Sequence, residues 1–166
     1  MAEARTFDPE AILRALQEHE VDYVLIGGLA ASLYGSPHVT TDVDVTPSRE
    51  APNLERLARA LTALDARVRT EGSPEGLPFD FTPRTLAQSP MLNLTTRFGD
   101  LDLAFEPAGT RGFGDLRRRA REIEIRDTRV VVAALADVIR SKEAAGREKD
   151  RLQLPTLRRL LERSET

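Results

Sequence analysis

The sequence predicts an α/β protein of the α+β kind, closed by C-terminal helices, and three observations predict it. Apolar residues at spacings of three and four, as in Leu54, Leu57, Leu61 and Leu64, alternate with short apolar runs of strand type, as in Tyr23 to Ile26. Two pairs of strand-type runs are joined by short turns, which makes hairpins. With 166 residues, 40% of them hydrophobic, the chain fits one domain over 1–166. Its core covers about 8–132 and its helical tail about 133–166.

The elements follow in order. Asp8 caps a first helix, Pro9 takes its first position, and Ile12, Ala15 and Leu16 share one side as far as Glu20. Tyr23 to Ile26 is a central-type strand; Gly27-Gly28 turns the chain into a short helix over Leu29 to Tyr34, which Gly35 stops. Thr41 to Val45 is a strand ended by Pro47, with Asp42 and Asp44 on one face and Val43 and Val45 on the other. A helix from Asn53 is followed by a strand over Ala66 to Thr70. Gly72, Pro74, Gly76 and Pro78 then predict a loop from Glu71 to Phe81, and Thr82-Pro83 caps a helical turn. Met91 to Thr96 and Leu101 to Phe105 form a hairpin about Phe98-Gly99-Asp100. Phe113 to Ala120 is helical, Ile123 to Val132 forms a hairpin over Asp127-Thr128, and helices at about 134–145 and 154–163 close the chain.

Composition excludes several chemistries. With no cysteine there is no disulfide, thiolate metal site or cysteine nucleophile, and two histidines argue against a His-rich metal site. No apolar run approaches the roughly 20 residues of a membrane span, and MAEARTFDPE lacks the basic-then-apolar order of a leader, so the expectation is a cytoplasmic protein with no membrane partner. Charge is uneven: residues 1–110 carry 9 Lys/Arg against 17 Asp/Glu, and residues 111–166 carry 15 against 10. This pattern suits an acidic metal site in the first part facing a basic rear, and equally a set of solvated helix faces.

Two aspartates at i and i+2 on a strand project to one face, near enough to bind one hard cation through oxygen. Asp102, flanked by Leu101 and Leu103, offers a third carboxylate from another strand. Three carboxylates on two strands can hold magnesium ions that polarise a phosphoryl group and activate a hydroxyl. Asp100 would point the same way by alternation, but its place beside Gly99 assigns it to the turn. Upstream, the Gly27-Gly28 backbone lets a phosphate approach closely.

The run Gly27-Gly28-x-Ala30, Gly35, Thr40, Asp42-Val43-Asp44 resembles the signature of the polymerase-beta-type nucleotidyltransferase superfamily, in the long-spaced form of abortive-infection-type toxins and related small bacterial nucleotidyltransferases. The resemblance implies the nucleotidyltransferase fold, a mixed sheet flanked by helices. It implies Asp42, Asp44 and Asp102 as catalytic and metal-binding residues, with Asp102 closest to the acceptor hydroxyl. It also implies Mg2+ or Mn2+ as cofactor and transfer of NMP from an NTP, such as ATP, with release of pyrophosphate. Gly27, Gly28, His38 and Thr40 fall at its nucleotide-binding positions. Two of these depart from the pattern: many relatives have Ser at the position of Gly28, and Arg often stands where this chain has His38.

Lys142 shares the inward stripe of its helix with Leu135, Val138 and Ile139, so it should meet an anion, either nucleotide phosphate or the acidic triad, unless it snorkels at the helix end. Asp150 reads as structural, a partner for Lys149 or Arg151. Six arginines between Arg117 and Arg129 are interleaved with acids, which favours a solvated face over nucleic-acid binding. The acceptor implied is a tRNA end, a protein side chain or a small molecule, and a toxin–antitoxin setting would add an antitoxin partner. The rival readings are a catalytically silent interaction module of the same fold and a phosphohydrolase using the same acids.

Overall fold

The computed structural model describes residues 5–166; the first four residues of the expected domain, and that part of the stretch read for a leader, lie outside the described residues. Its elements are α1 (Pro9–Glu18), β1 (Tyr23–Ile26), α2 (Gly27–Leu33), β2 (Asp42–Pro47), α3 (Ala51–Ala63), β3 (Arg67–Thr70), β4 (Ser73–Leu77), α4 (Pro83–Gln88), β5 (Met91–Thr96), β6 (Gly99–Ala104), α5 (Phe113–Arg117), β7 (Arg121–Ile125), β8 (Thr128–Val132), α6 (Leu135–Ala145) and α7 (Glu148–Ser164). The strands form one mixed sheet in the order β4-β3-β5-β6-β2-β1-β8-β7. β2 runs parallel to β6 and β1 parallel to β8, and the other neighbours are antiparallel.

Alternation along the central strands decides the layers. Val43, Val45, Leu101 and Leu103 are fully buried in one core with Ile12, Leu13 and Leu16 of α1 and Leu54, Leu57 and Leu61 of α3. Each such side chain contributes roughly 1.5–3 kcal/mol by leaving water. The intervening residues, Asp42, Asp44, Asp100 and Asp102, point to the opposite face, where α2 packs on β1 and β2.

Asn53 joins α3 to the sheet. Its buried side chain accepts from the Asp22 amide at 2.7 Å and donates to the Asp22 and Ser48 carbonyls, each at 2.9 Å. It thereby satisfies the backbone just before β1 and just after β2.

Several expectations are corrected. The stretch Glu71 to Phe81 contains β4, an edge strand paired with β3. Pro74 is tolerated because an edge strand has no partner on one side. Gly76 is required at φ +88°, since a Cβ there would lie 2.5 Å from the Arg67 Cβ. α2 begins at Gly27 itself rather than after a glycine turn, and α5 ends at Arg117, short of Ala120. Asp100 lies within β6, paired with Thr95 on one side and Asp42 on the other, and is no turn residue.

α7 begins at Glu148, well before the expected 154, because Asp150 Oδ2 accepts from the Arg147 amide at 3.3 Å and caps the new start. Pro155 then falls inside the helix on its exposed side, where the missing N–H leaves a carbonyl for water. The six arginines from Arg117 to Arg129 are exposed, as a solvated face requires, with Arg119 paired to Asp137 and Arg126 to Glu10.

Replacing Asn53 by Ala would orphan three backbone groups around α3. The expected loss of stability is about 2–3 kcal/mol, read as a lower urea midpoint with an unchanged slope.

Candidate active site

The parallel register of β2 and β6 sets Asp42 beside Asp100 and Asp44 beside Asp102, so four aspartates form a square on one sheet face. Three of them converge: one carboxylate oxygen each from Asp42, Asp44 and Asp102 lies within 4.8 Å of the others. Burial, followed by the charges of Asp42 and Asp102, pushes the Asp44 carboxyl up to about 7. Asp102 is also raised, first by burial, with Arg69 pulling it down and Asp42 pushing it up. Oxygen donors this close, with the carboxyls of Asp44 and Asp102 both raised, fit a divalent cation, which would take the place of their protons.

The surroundings are shaped to these acids. Gly27 has φ +72°, and a Cβ built on it would sit 2.3 Å from Asp44 Oδ2, so the carboxylate occupies the space a side chain would need. A Cβ on Gly28 is tight but bearable, 3.0 Å from Thr40 Oγ1. The Thr40 hydroxyl lies 3.1 Å from both Asp42 Oδ1 and the Asp42 carbonyl, which fixes the first aspartate. Arg69, from β3, reaches across β5 and donates to Asp102 Oδ1 at 3.1 Å.

A cavity of about 520 Å³ opens over the three acids, lined among others by Gly27, Gly28, His38 and Thr40 on one side and Lys142 on the other. This is a size suited to a nucleotide-scale ligand. His38 is exposed at its rim. Lys142 points inward and is 8% exposed, but the anion it meets is Asp150, 3.5 Å from its Nζ, and not an acid of the triad. Asp150 is fully buried and also takes Arg147 at 2.8 Å, which corrects its expected pairing with Lys149 or Arg151. Lys149 and Arg147 line the same cavity, and the Lys149 charge acts on Asp44 ahead of that of Lys142.

No protein-family model matches the sequence, and no curated protein matches it significantly. Solved structures do resemble it. A lincomycin-bound lincosamide antibiotic adenylyltransferase superposes with a TM-score of 0.61 at 14% identity, over 95% of this chain and 99% of that one. A Thermotoga maritima protein classed as a candidate nucleotidyltransferase gives a TM-score of 0.53 at 17% identity, over 98% of this chain and 99% of that one. The chain shares the nucleotidyltransferase fold.

Set on this fold, the structure brings together all of Asp42, Asp44, Asp102, Gly27, Gly28, His38, Thr40 and Lys142 around one cavity. Sequence reasoning missed Arg69, whose approach to Asp102 depends on a strand order no spacing reveals. It also gave Lys149 to a pairing with Asp150, whereas Lys149 lines the cavity.

Gly27→Ala is expected to weaken Mn2+ binding by at least about tenfold in calorimetry, because the new methyl displaces Asp44, whereas the backbone strain at positive φ costs only about 1–2 kcal/mol. The metal-free protein should lose stability as pH rises from about 4 to 7. In that window the folded Asp44 and Asp102 hold protons that the unfolded chain, with ordinary carboxyls near 3.8, has released. Thermal melts should show the loss, and added Mn2+ should reverse it most at the upper end.

Proposed function

We propose that the protein, as one nucleotidyltransferase domain over 1–166, transfers NMP from an NTP to an acceptor hydroxyl and releases pyrophosphate. The observation that carries this reading is the convergence of Asp42, Asp44 and Asp102 on one end of a nucleotide-sized cavity whose other wall is basic. Asp42, Asp44 and Asp102 would hold Mg2+ or Mn2+. When bound, the cation offsets phosphate charge and favours the deprotonated acceptor hydroxyl.

The chain's own residues do the rest. Gly27 and Gly28 leave the backbone open to the triphosphate, and Thr40 steadies Asp42. Lys142, Lys149 and Arg147 give phosphate charge a counterpart from the helical tail, with Lys142 held in place by Asp150. His38, at the rim, contacts the nucleotide without the permanent charge an arginine would bring. Asp102 takes the proton from the acceptor hydroxyl. The hydroxyl oxygen then bonds to the α-phosphorus as its bond to the bridging oxygen of the β-phosphate breaks, and pyrophosphate leaves with that electron pair.

Among tRNA, protein and small-molecule acceptors, the small molecule is favoured. The lincosamide adenylyltransferase, a structure that holds lincomycin, matches over 95% of this chain and 99% of its own, and that likeness supports a small-molecule acceptor. Dependence on an NTP supports a cytoplasmic setting for the reaction. No described helix is long and apolar enough to cross a membrane. A toxin role with an antitoxin partner is supported by the sequence resemblance.

The test is incubation with each labelled NTP, Mg2+ or Mn2+, and in turn a panel of hydroxylated antibiotics, cellular RNA and cellular protein. Label should move to one acceptor class. Asp42→Asn and Asp44→Asn should each reduce transfer by about a hundredfold or more while circular dichroism stays unchanged. Equal activity in both variants would dismiss the reading, and an absence of transfer with retained nucleotide binding would favour the silent interaction module.

A further inference from the structure

The fourth aspartate of the square is the anomaly. Asp100 faces Asp42 across the β2–β6 ladder as Asp102 faces Asp44, yet among the described residues the converging set is Asp42, Asp44 and Asp102, without Asp100. Sheet geometry does not explain the difference, since both pairs lie in the same register on the same face. Arg69 does. Its Nη1 lies 3.0 Å from Asp100 Oδ2 and donates to the Leu94 carbonyl at 3.0 Å, while its Nη2 donates to Asp102 Oδ1 at 3.1 Å.

The guanidinium is therefore fixed at three points, one of them backbone. Its planar fork spans two carboxylates from two strands away, which a lysine ammonium could not do.

We propose that Arg69 decides which three of the four aspartates form the cation site, drawing Asp100 out of it and fixing Asp102 within it. The inference rests on the proposed cation site and adds a residue and a rule of selection to it. Asp100 is the most exposed partner of the fork, with 36% of its side chain accessible against 16% for Asp102, so it is the acid with most freedom to turn either way. Turned toward Asp42, it would add a fourth negative charge to the cluster and abandon its ion pair. Turned toward Arg69, it leaves the site with three carboxylates and one neighbouring cation. Like-charge repulsion among the acids and attraction to the guanidinium favour the same arrangement. Arg69 is thus a positioning residue: it acts through the two aspartates it holds.

The consequence is conditional, and a double-mutant cycle reads it. Mn2+ alone is titrated by calorimetry into the wild-type protein, Arg69→Gln, Asp100→Asn and the double variant. Glutamine keeps a donor for the Leu94 carbonyl while removing the charge, and circular dichroism melts check each fold.

In the wild-type background Asp100→Asn should weaken Mn2+ binding by less than about threefold, because Arg69 already keeps Asp100 away. Arg69→Gln should tighten Mn2+ binding by about tenfold, since a repelling charge is lost and a fourth carboxylate is released. In the Arg69→Gln background Asp100→Asn should then cost about tenfold or more. Arg69→Lys, which keeps the charge but not the fork, is the second variant and should show the same coupling at smaller size.

An Asp100→Asn effect equal in all backgrounds, with clear Mn2+ binding by the wild type, overturns the role of Arg69 and leaves the cation site standing. No Mn2+ binding by the wild type overturns both.

Discussion

Four carboxyl groups placed side by side on one face of a sheet set the terms for the rest of this structure. Two parallel strands in register, each carrying acids at alternate positions, make such a square unavoidable. The same strands repel one another on that face and must be held together from the other. Val43, Val45, Leu101 and Leu103, all fully buried, provide the opposing attraction. A strand with one apolar and one acidic face is accordingly two devices in one, and neither half could be changed without consequences for the other.

Compensation on the acidic face comes from every side. Arg69 enters from β3, Thr40 from the approach to β2, and the lysines from the helical tail. The uneven charge along the chain acquires a spatial meaning here: the acidic first part builds the floor of the cavity, and the basic last part builds a wall over it. Buried Asp150 connects the two ends of that wall, since it pairs with Lys142 of α6 and with Arg147 at the start of α7. Its cost of burial is offset because both partners are charged and one of them is bonded twice.

Much of this was legible in the sequence, for reasons that differ by element. β1, β2, β5 and β6 announced themselves because alternation and apolar runs are local signals, and Asp42, Asp44 and Asp102 stood out against those patterns. Lys142 was legible because it interrupts an apolar helical stripe. β4 was not, since its Pro74 and Gly76 are tolerated only through neighbours that a linear reading cannot supply: a missing partner at the sheet edge and the side chains of Arg67 and Thr95. The early start of α7 depended on a cap from Asp150, a residue whose partners lie on the preceding helix as well as its own. Asp100 was misread because a glycine neighbour suggests a turn, whereas strand pairing on both sides decides otherwise.

The contact between Gly27 and Asp44 has an evolutionary side. A side chain at position 27 would meet the carboxylate of Asp44 for as long as that acid fills the space beside it, so the acid guards the glycine. A descendant that abandoned its cation would be free to lose Asp44, and from that moment only the modest strain of a positive φ would hold the glycine in place. A side chain at that place in a homologue would then be a molecular fossil, recording that the acid had gone first.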